Sequence, residues 1–176
     1  IGTYTLTYAA TNLTSATQSL VLTFGAATKL VVTTPVAGFV NRTDFTTQPV
    51  VTVVDSSGNT VTNSTAAITV AVLPSLTFTG TTTLNAVAGV ADWANAQTPL
   101  GKYGATGAKT MYYSSPGLPT EYQSYTITAS TAYQLAVTRT IASNSTIAND
   151  VAFTIQPKVT IQDQDGNTVD TGSEST

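Results

Sequence analysis

The residues best suited to chemistry in this chain are the acids of segment 163–167, Asp-Gln-Asp-Gly-Asn. Their spacing resembles the start of a calcium-binding loop. A related segment, 55–59, reads Asp-Ser-Ser-Gly-Asn and has lost one of the two acids. We interpret both segments as turns stabilised by Asp and Asn side chains, with calcium binding by Asp163 and Asp165 as the alternative.

The composition excludes most catalytic centres. The chain contains no His and no Cys, which removes the Ser-His-Asp triad, cysteine nucleophiles and ordinary zinc sites. The nine Asp and Glu residues are scattered, and we can place no pair of them across a cleft as a glycosidase requires. We therefore predict that the protein is not an enzyme and uses no cofactor.

Two other kinds of site remain possible in predicted loops. Four Asn-x-Ser/Thr sequons are candidate glycosylation sites if the source organism modifies its surface proteins, at Asn12, Asn41, Asn63 and Asn144. Aromatic side chains are candidates for a contact surface that binds a glycan or a protein: Trp93 and, in predicted loop 111–120, Tyr112 and Tyr113. Tyr125 alternates with Ile127 and is predicted to lie in the core.

The charge pattern indicates an extracellular protein. Charged residues are 9% of the chain, and six Lys and Arg against nine Asp and Glu give a net charge of −3. Nucleic-acid binding needs a basic face, so it is excluded. No apolar run approaches the roughly 20 residues of a membrane span. Hydroxyls and amides carry the solubility, and the absence of Cys favours a bacterial or archaeal surface over a small disulfide-rich ectodomain.

An internal repeat of about 100 residues organises the chain. Segment 48–61 returns as 156–169, 108 residues later, and segment 19–30 returns as 124–135, 105 residues later. A weaker match relates Gly2-Thr-Tyr to Gly-Lys-Tyr at 101–103. Because residue 1 already lies inside a repeat, we expect the chain to be a section of a longer protein.

The repeat predicts three parts. Residues 1–25 are expected to be the closing strands of a preceding unit, 26–130 one complete unit, and 131–176 the opening strands of a following unit. Apolar residues alternate with Thr along most segments, and no segment shows a helical period over ten residues. Strand-length runs separated by turn signals about every ten residues predict an all-β chain of immunoglobulin-like β-sandwich repeats in tandem.

These segments resemble a known family. Lys-Leu-Val-Val-Thr-Thr-Pro from residue 29, Pro-Val-Val-Thr-Val-Val-Asp-Ser-Ser-Gly-Asn-Thr-Val from residue 49, and Gly-Thr-Tyr-Thr-Leu-Thr from residue 2 are similar to the bacterial Ig-like repeats of very large surface proteins, including relatives of the invasin and intimin repeats. The resemblance implies a structural spacer of a surface stalk or fibre. Its partners would be neighbouring Ig-like repeats of the same or an identical chain.

Two alternatives to the spacer stay open. Separate chains could complete one another's sandwiches by exchanging strands, which would make the protein a subunit of a filament or surface layer. The chain could instead be an adhesin module that binds a glycan or a protein through loop 111–120.

Overall fold

A computed structural model describes residues 1–74, 76–141 and 149–170. In these ranges the regular structure consists of strands and one short 3₁₀ helix at Trp93–Asn95. The strands are β1 (Gly2–Tyr8), β2 (Ala16–Leu22), β3 (Lys29–Thr34), β4 (Thr43–Asp44), β5 (Val50–Val54), β6 (Ala67–Leu73), β7 (Thr77–Thr79), β8 (Thr83–Asn85), β9 (Val90–Asp92), β10 (Gly101–Tyr103), β11 (Gly107–Ser115), β12 (Leu118–Ile127), β13 (Gln134–Arg139) and β14 (Lys158–Gln162).

Strands β3 to β12 form a sandwich around one core. One sheet has the strand order β3-β5-β9, the second β12-β11-β6-β8, and a short third sheet β4-β10-β7 lies beside them. The prediction of an all-β, Ig-like sandwich is confirmed. Alternation explains the core locally, because every second residue of β6 (Ile68, Val70 and Val72) is buried while the residues between them are exposed.

The predicted loop 111–120 is instead a β-hairpin. Its residues are the end of β11 and the start of β12, and Ser115 pairs with Leu118 across a two-residue turn. Pro116 and Gly117 are the two residues of that turn. Gly117 has a φ of +79°, and Pro followed by a Gly with positive φ is favoured in tight turns. The prediction of an open loop at these positions is therefore wrong.

Each end of the described chain is a separate two-stranded hairpin. β1 pairs with β2 from Gly2–Leu22 to Tyr8–Ala16, and β13 pairs with β14. The β1–β2 register matches β11–β12, where Gly107 pairs with Ile127. Gly2 thus corresponds to Gly107, and the predicted match of residues 2–4 to 101–103 is wrong. Gly-x-Tyr is too short a pattern to outweigh strand register.

Candidate functional site at the joints of the chain

The turn after β5 holds the segment that leads into β3. Asp55 Oδ1 accepts hydrogen bonds from the backbone N–H groups of Ser57 and Asn59, both at 2.9 Å, and the Asn59 side chain donates to Oδ2 at 3.0 Å. Oδ2 also accepts the N–H of Gly25 at 2.9 Å. One carboxylate therefore stabilises its own turn and fixes the joint between β2 and β3.

The same arrangement recurs after β14. Asp163 Oδ1 accepts the N–H groups of Asp165 at 3.0 Å and Asn167 at 2.9 Å. Oδ2 accepts the Asn167 side chain at 3.0 Å and the N–H of Ser130 at 3.1 Å. Ser130 precedes β13 as Gly25 precedes β3, so both joints of the described chain are fixed by an aspartate turn. We call these the Asp55 joint and the Asp163 joint.

At the Asp163 joint, the sandwich adds a buried amide. Asn41 is fully buried, and its Nδ2 donates to Asp163 Oδ2 at 3.0 Å and to Asp165 Oδ2 at 2.7 Å. Its Oδ1 accepts the N–H of Gly104 at 3.0 Å. Asn167 also links the turn after β14 to the sandwich, since its Nδ2 donates to the Gly104 carbonyl at 2.9 Å. Both N–H groups and the oxygen of the Asn41 side-chain amide thus make hydrogen bonds inside the joint.

An ion pair covers this contact on the solvent side. The Arg42 guanidinium donates from Nε to Asp165 Oδ2 at 2.9 Å and forms a second bond from its terminal nitrogen to Oδ1. Two parallel bonds of this kind fix orientation as well as distance. Arg42 has φ +59, a strained backbone for a residue with a side chain.

Lys102 holds the segment that carries Asn41 and Arg42. Its buried ammonium donates to the carbonyls of Gly38 at 2.7 Å and Thr43 at 3.0 Å, on either side of that segment. Burial lowers the pKa of Lys102 to about 8, because an ammonium loses hydration in the core. The joint is therefore placed by side-chain bonds from β10.

Hydrogen bonding keeps the joint carboxylates ionised. The N–H of Gly25 and the bonds from Asn59 lower the pKa of Asp55 to about 2. Burial raises the pKa of Asp163, but the bonds from Asn41, Asn167 and the Ser130 N–H outweigh it, so the net pKa lies well below its usual range. The bond from Arg42 lowers the pKa of Asp165, against a smaller opposing effect of burial.

The contacts of Asp163 and Asp165 match the turn interpretation. Every hydrogen bond described at their carboxylate oxygens comes from an N–H or O–H group of the protein. A calcium ion would have to displace several of these donors. Within the ranges that the structure describes, no group of three or more His, Cys, Asp or Glu side chains could hold a metal ion.

The joint overturns one predicted glycosylation site. Asn41 is fully buried and its amide nitrogen donates to two carboxylates, so a sugar there would require breaking the joint. Asn12 and Asn63 are exposed, and modification at both stays a prediction. Asn144 lies outside the described residues.

The predicted aromatic contact surface is mostly core. Trp93 and Tyr113 are fully buried and pack edge to face, with ring centroids 6.4 Å apart, so the prediction is wrong for these two residues. Both fill the space between the sheets, where apolar area is removed from water. Tyr112 lies half-buried on the outer side of β11 against Tyr122, and its role as a contact residue stays a prediction. Tyr125 is buried as predicted.

Sequence reasoning missed the contribution of Asn41 and Arg42 to the joint. A usable signal was present, because Asn41 stands 14 residues before Asp55 and Asn149 stands 14 residues before Asp163. The residues after them share a backbone feature, with φ +59 at Arg42 and +63 at Asp150. A recurring Asn at a fixed distance from the recurring Asp turn indicates a structural element of each repeat.

Acidification should loosen both joints. Asp55 and Asp163 have folded pKa values below the usual value of about 3.9. Their stabilisation is therefore complete above about pH 4 and is lost as the pH falls through the folded values, near 2 for Asp55. We expect the carboxyl ¹³C shifts of both residues, and the amide shifts of Gly25 and Ser130, to stay constant from pH 7 to pH 4 and to change only below it. An Asp55 midpoint at or above 4 would contradict this account of the joint.

Comparisons with known proteins give only partial structural matches. No protein-family model matches the chain, and no curated protein matches its sequence. Partial matches among solved structures include a β-glucuronidase from glycoside hydrolase family 2 (TM-score 0.49, 15% identity, 73% of this chain and 14% of that chain). Another is a glycosyl hydrolase family 2 member from Bacteroides cellulosilyticus (TM-score 0.48, 12% identity, 72% of this chain and 17% of that chain).

The Parabacteroides merdae β-glucuronidase gives a similar partial match (TM-score 0.43, 13% identity, 65% of this chain and 14% of that chain). The chain thus spans only 14–17% of the length of these three solved structures. Within the described residues, no helix is long and apolar enough to cross a membrane. The resemblance to invasin- and intimin-like repeats stays a prediction.

Proposed function

We propose that the protein is a tension-resisting spacer, built from tandem Ig-like units, in a stalk or fibre outside the cell. The observation that carries this proposal is a parallel pairing between the start and the end of the sandwich. Val40 and Thr128 form a parallel bridge, in which the N–H of Asn41 donates to the Thr128 carbonyl and the N–H of Thr128 donates to the Phe39 carbonyl, both at 2.9 Å.

A side chain extends this pairing along the same seam. Gln123 on β12 receives the N–H of Val36 at Oε1, at 3.0 Å, and donates from Nε2 to the Val36 carbonyl at 3.1 Å. We call this contact the Gln123 bridge. Because segment 36–41 runs parallel to β12, the chain enters the sandwich at one end of the seam and leaves at the other. A pull on the two ends loads the Gln123 bridge and the backbone pairs together, in shear, instead of opening them one at a time.

The two joints support the same proposal. Each is short and is fixed by an aspartate that accepts the N–H of the linking residue, Gly25 or Ser130. The Asp163 joint is further tied to the sandwich by the buried Asn41. Such joints limit bending, and units that contact mainly their neighbours suit an array whose stability grows with the number of repeats.

The composition supports a non-catalytic, extracellular role. With no His and no Cys, the chain cannot form a Ser-His-Asp triad or a cysteine nucleophile, and only 9% of its residues are charged. Its Thr-rich surface carries few titratable groups and few charges for salt to screen. These properties suit an exposed surface protein.

Single-molecule stretching of the whole chain tests the proposal. We expect the sandwich to unfold in one high-force event with a gain in contour length of about 350 Å, corresponding to about 100 residues. Gln123→Ala removes the Gln123 bridge and should lower the unfolding force clearly. It should also reduce the free energy of unfolding by about 1–3 kcal/mol, since the Val36 groups lose their partners.

Gln48→Ala is the matched control. Gln48 makes three similar bonds inside the sandwich, to the Phe45 carbonyl and to both backbone groups of Leu100, but it lies outside the seam. We expect Gln48→Ala to cost a similar free energy of unfolding and to leave the unfolding force closer to that of the unmodified chain. Equal losses of force in both variants would refute the role of the seam.

A further inference from the structure

The turn that carries Asn41 recurs 108 residues later in the chain. Asn41 and Arg42 form one turn, and Asn149 and Asp150 form the other. The second residue of each turn has a positive φ, +59° at Arg42 and +63° at Asp150. The asparagine is therefore common to the two turns, whereas the residue after it is a cation in one and an anion in the other.

A glutamine after each turn shows the same equivalence. Gln48 donates from Nε2 to the Phe45 carbonyl at 3.0 Å, and Gln156 donates in the same way to the Phe153 carbonyl at 3.0 Å. Both glutamines and both phenylalanines are also 108 positions apart. The segment before β14 thus has the local structure of the segment before β5, and position 150 is the structural counterpart of position 42.

The aspartate turns also have a common and a variable position. Asp55 and Asp163 accept the same pattern of backbone N–H groups. The third residue is Ser57 in the first turn and Asp165 in the second, and its N–H donates to the aspartate in both. The turn therefore uses the backbone of this third residue and leaves its side chain free to vary.

At the Asp163 joint, the common residues bind one another and so do the variable ones. Asn41 donates to Asp163 Oδ2 at 3.0 Å. Arg42 binds the carboxylate of Asp165 through two hydrogen bonds. A further bond runs from Asn41 to Asp165 Oδ2 at 2.7 Å. The first contact suits any two neighbouring units that have this asparagine and aspartate, whereas the second depends on the charges of the two residues.

We propose that the variable pair, formed by the residue after the turn asparagine and the third residue of the aspartate turn, selects which unit can follow which along the chain. The inference rests on the tandem units of the proposed function. Selection of this kind needs a repulsive combination as well as an attractive one. The asparagine and the aspartate supply the contact common to the joints, and the variable pair supplies the discrimination.

The kind of partner that suits Asp150 follows from this rule. An aspartate turn with Lys or Arg at its third position forms the ion pair with the charges reversed. A turn with an acid there, such as Asp165, places two carboxylates side by side and is rejected. Ser57 presents a hydroxyl at this position, so its turn accepts a neighbour of either charge.

The backbone allows the charge at position 42 to be changed without new strain. Asp and Asn adopt positive φ more readily than most residues with a side chain, and Asp150 already has this conformation at the equivalent position. Arg42→Asp therefore tests the charge, and Arg42→Asn is its matched neutral control.

Amide hydrogen exchange in the whole chain tests the pair. The reporter is the N–H of Ser130, which donates to Asp163 Oδ2 across the joint at 3.1 Å. Arg42→Asp brings two carboxylates together, and Asp165→Lys brings two cations together. We expect each variant to accelerate exchange at Ser130 about tenfold. Arg42→Asn loses the attraction without adding repulsion, so about threefold is expected.

The combination of Arg42→Asp with Asp165→Lys gives the decisive result. If the two positions were independent, the combined variant would accelerate exchange about a hundredfold, the product of the single effects. We expect about tenfold or less, because the ion pair re-forms with reversed charges while Asn41 loses its bond to Asp165. In about 1 M salt, the excess of Arg42→Asp over Arg42→Asn should largely disappear, since charges are screened within about 3 Å. Exchange at Gly25, in the Asp55 joint, should not change in any variant.

Two outcomes would overturn the proposal. Single effects that multiply would mean that the two residues do not select one another, and equal exchange in Arg42→Asp and Arg42→Asn would mean that charge plays no part. These results are separate from the stretching experiment, because the Gln123 bridge is not part of the joint. Independent positions in a chain that resists force would remove the selection and keep the spacer, and a coupled pair in a chain that unfolds at low force would do the reverse.

Discussion

Replacing Trp93 by alanine should lower the free energy of unfolding of the sandwich by about 3–5 kcal/mol. Trp93 is fully buried directly after β9, and its Nε1–H donates to the Thr81 carbonyl at 2.8 Å. The indole packs edge to face on Tyr113. The substitution leaves a cavity between the two large sheets and removes the partner of a carbonyl, and both losses destabilise the folded state.

Urea unfolding followed by far-UV circular dichroism measures this effect, because the variant has no tryptophan for fluorescence. Trp93→Phe keeps a ring in the core but loses the N–H, so a smaller loss of about 1–3 kcal/mol is expected. Val87→Ala is the surface control, since Val87 is 77% exposed, and its effect should stay within about 0.5 kcal/mol. Unchanged stability in Trp93→Ala would restore the prediction that this residue serves a contact surface.

The sequence predicted best those features that depend on neighbours along the strand. The alternation of Ile68, Val70 and Val72 sets which face of β6 is buried, whatever lies opposite. Tyr113 follows the same rule, because it alternates with the buried Met111 and Ser115 on β11. Trp93 lies directly after β9, and its burial depends on which strands meet across the sandwich. Segment 111–120 was predicted to be a loop because it is rich in Tyr and Pro, although its Pro116-Gly117 pair is also a signal for a tight turn between two strands.

The Asp163 joint was the hardest part to predict, because its partners are far apart in the chain. The Asn41 sequon spans three residues, whereas the burial of Asn41 is set by Asp163, 122 residues later. The aspartate turns themselves were predicted from Asp, Gly and Asn, since a turn is a local structure. Each turn also accepts the N–H of a linker residue, Gly25 or Ser130. This contact depends on how one hairpin packs against the next element, which no local pattern predicts.

Replacing Asp163 by alanine should detach the β13–β14 hairpin from the sandwich. The change leaves the buried Asn41 amide, the Ser130 N–H and the turn around Asn167 without their common acceptor. Several donors that share one buried carboxylate make its removal costly, and we expect the free energy of opening the joint to fall by about 3 kcal/mol. The sandwich core lies elsewhere, so its own unfolding should barely change.

Amide hydrogen exchange separates these two effects within one molecule. In Asp163→Ala, exchange at Ser130 and Asn167 should accelerate about a hundredfold, the factor that corresponds to about 3 kcal/mol. Exchange at Val70 in the core and at Gly25 in the Asp55 joint should not change. Asp163→Asn distinguishes charge from shape, because the amide keeps the size of the carboxylate but turns one acceptor into a donor that faces Asn41 and Ser130. We expect it to open the joint nearly as much as alanine does. Wild-type exchange at Ser130 in both variants would mean that another contact fixes the joint.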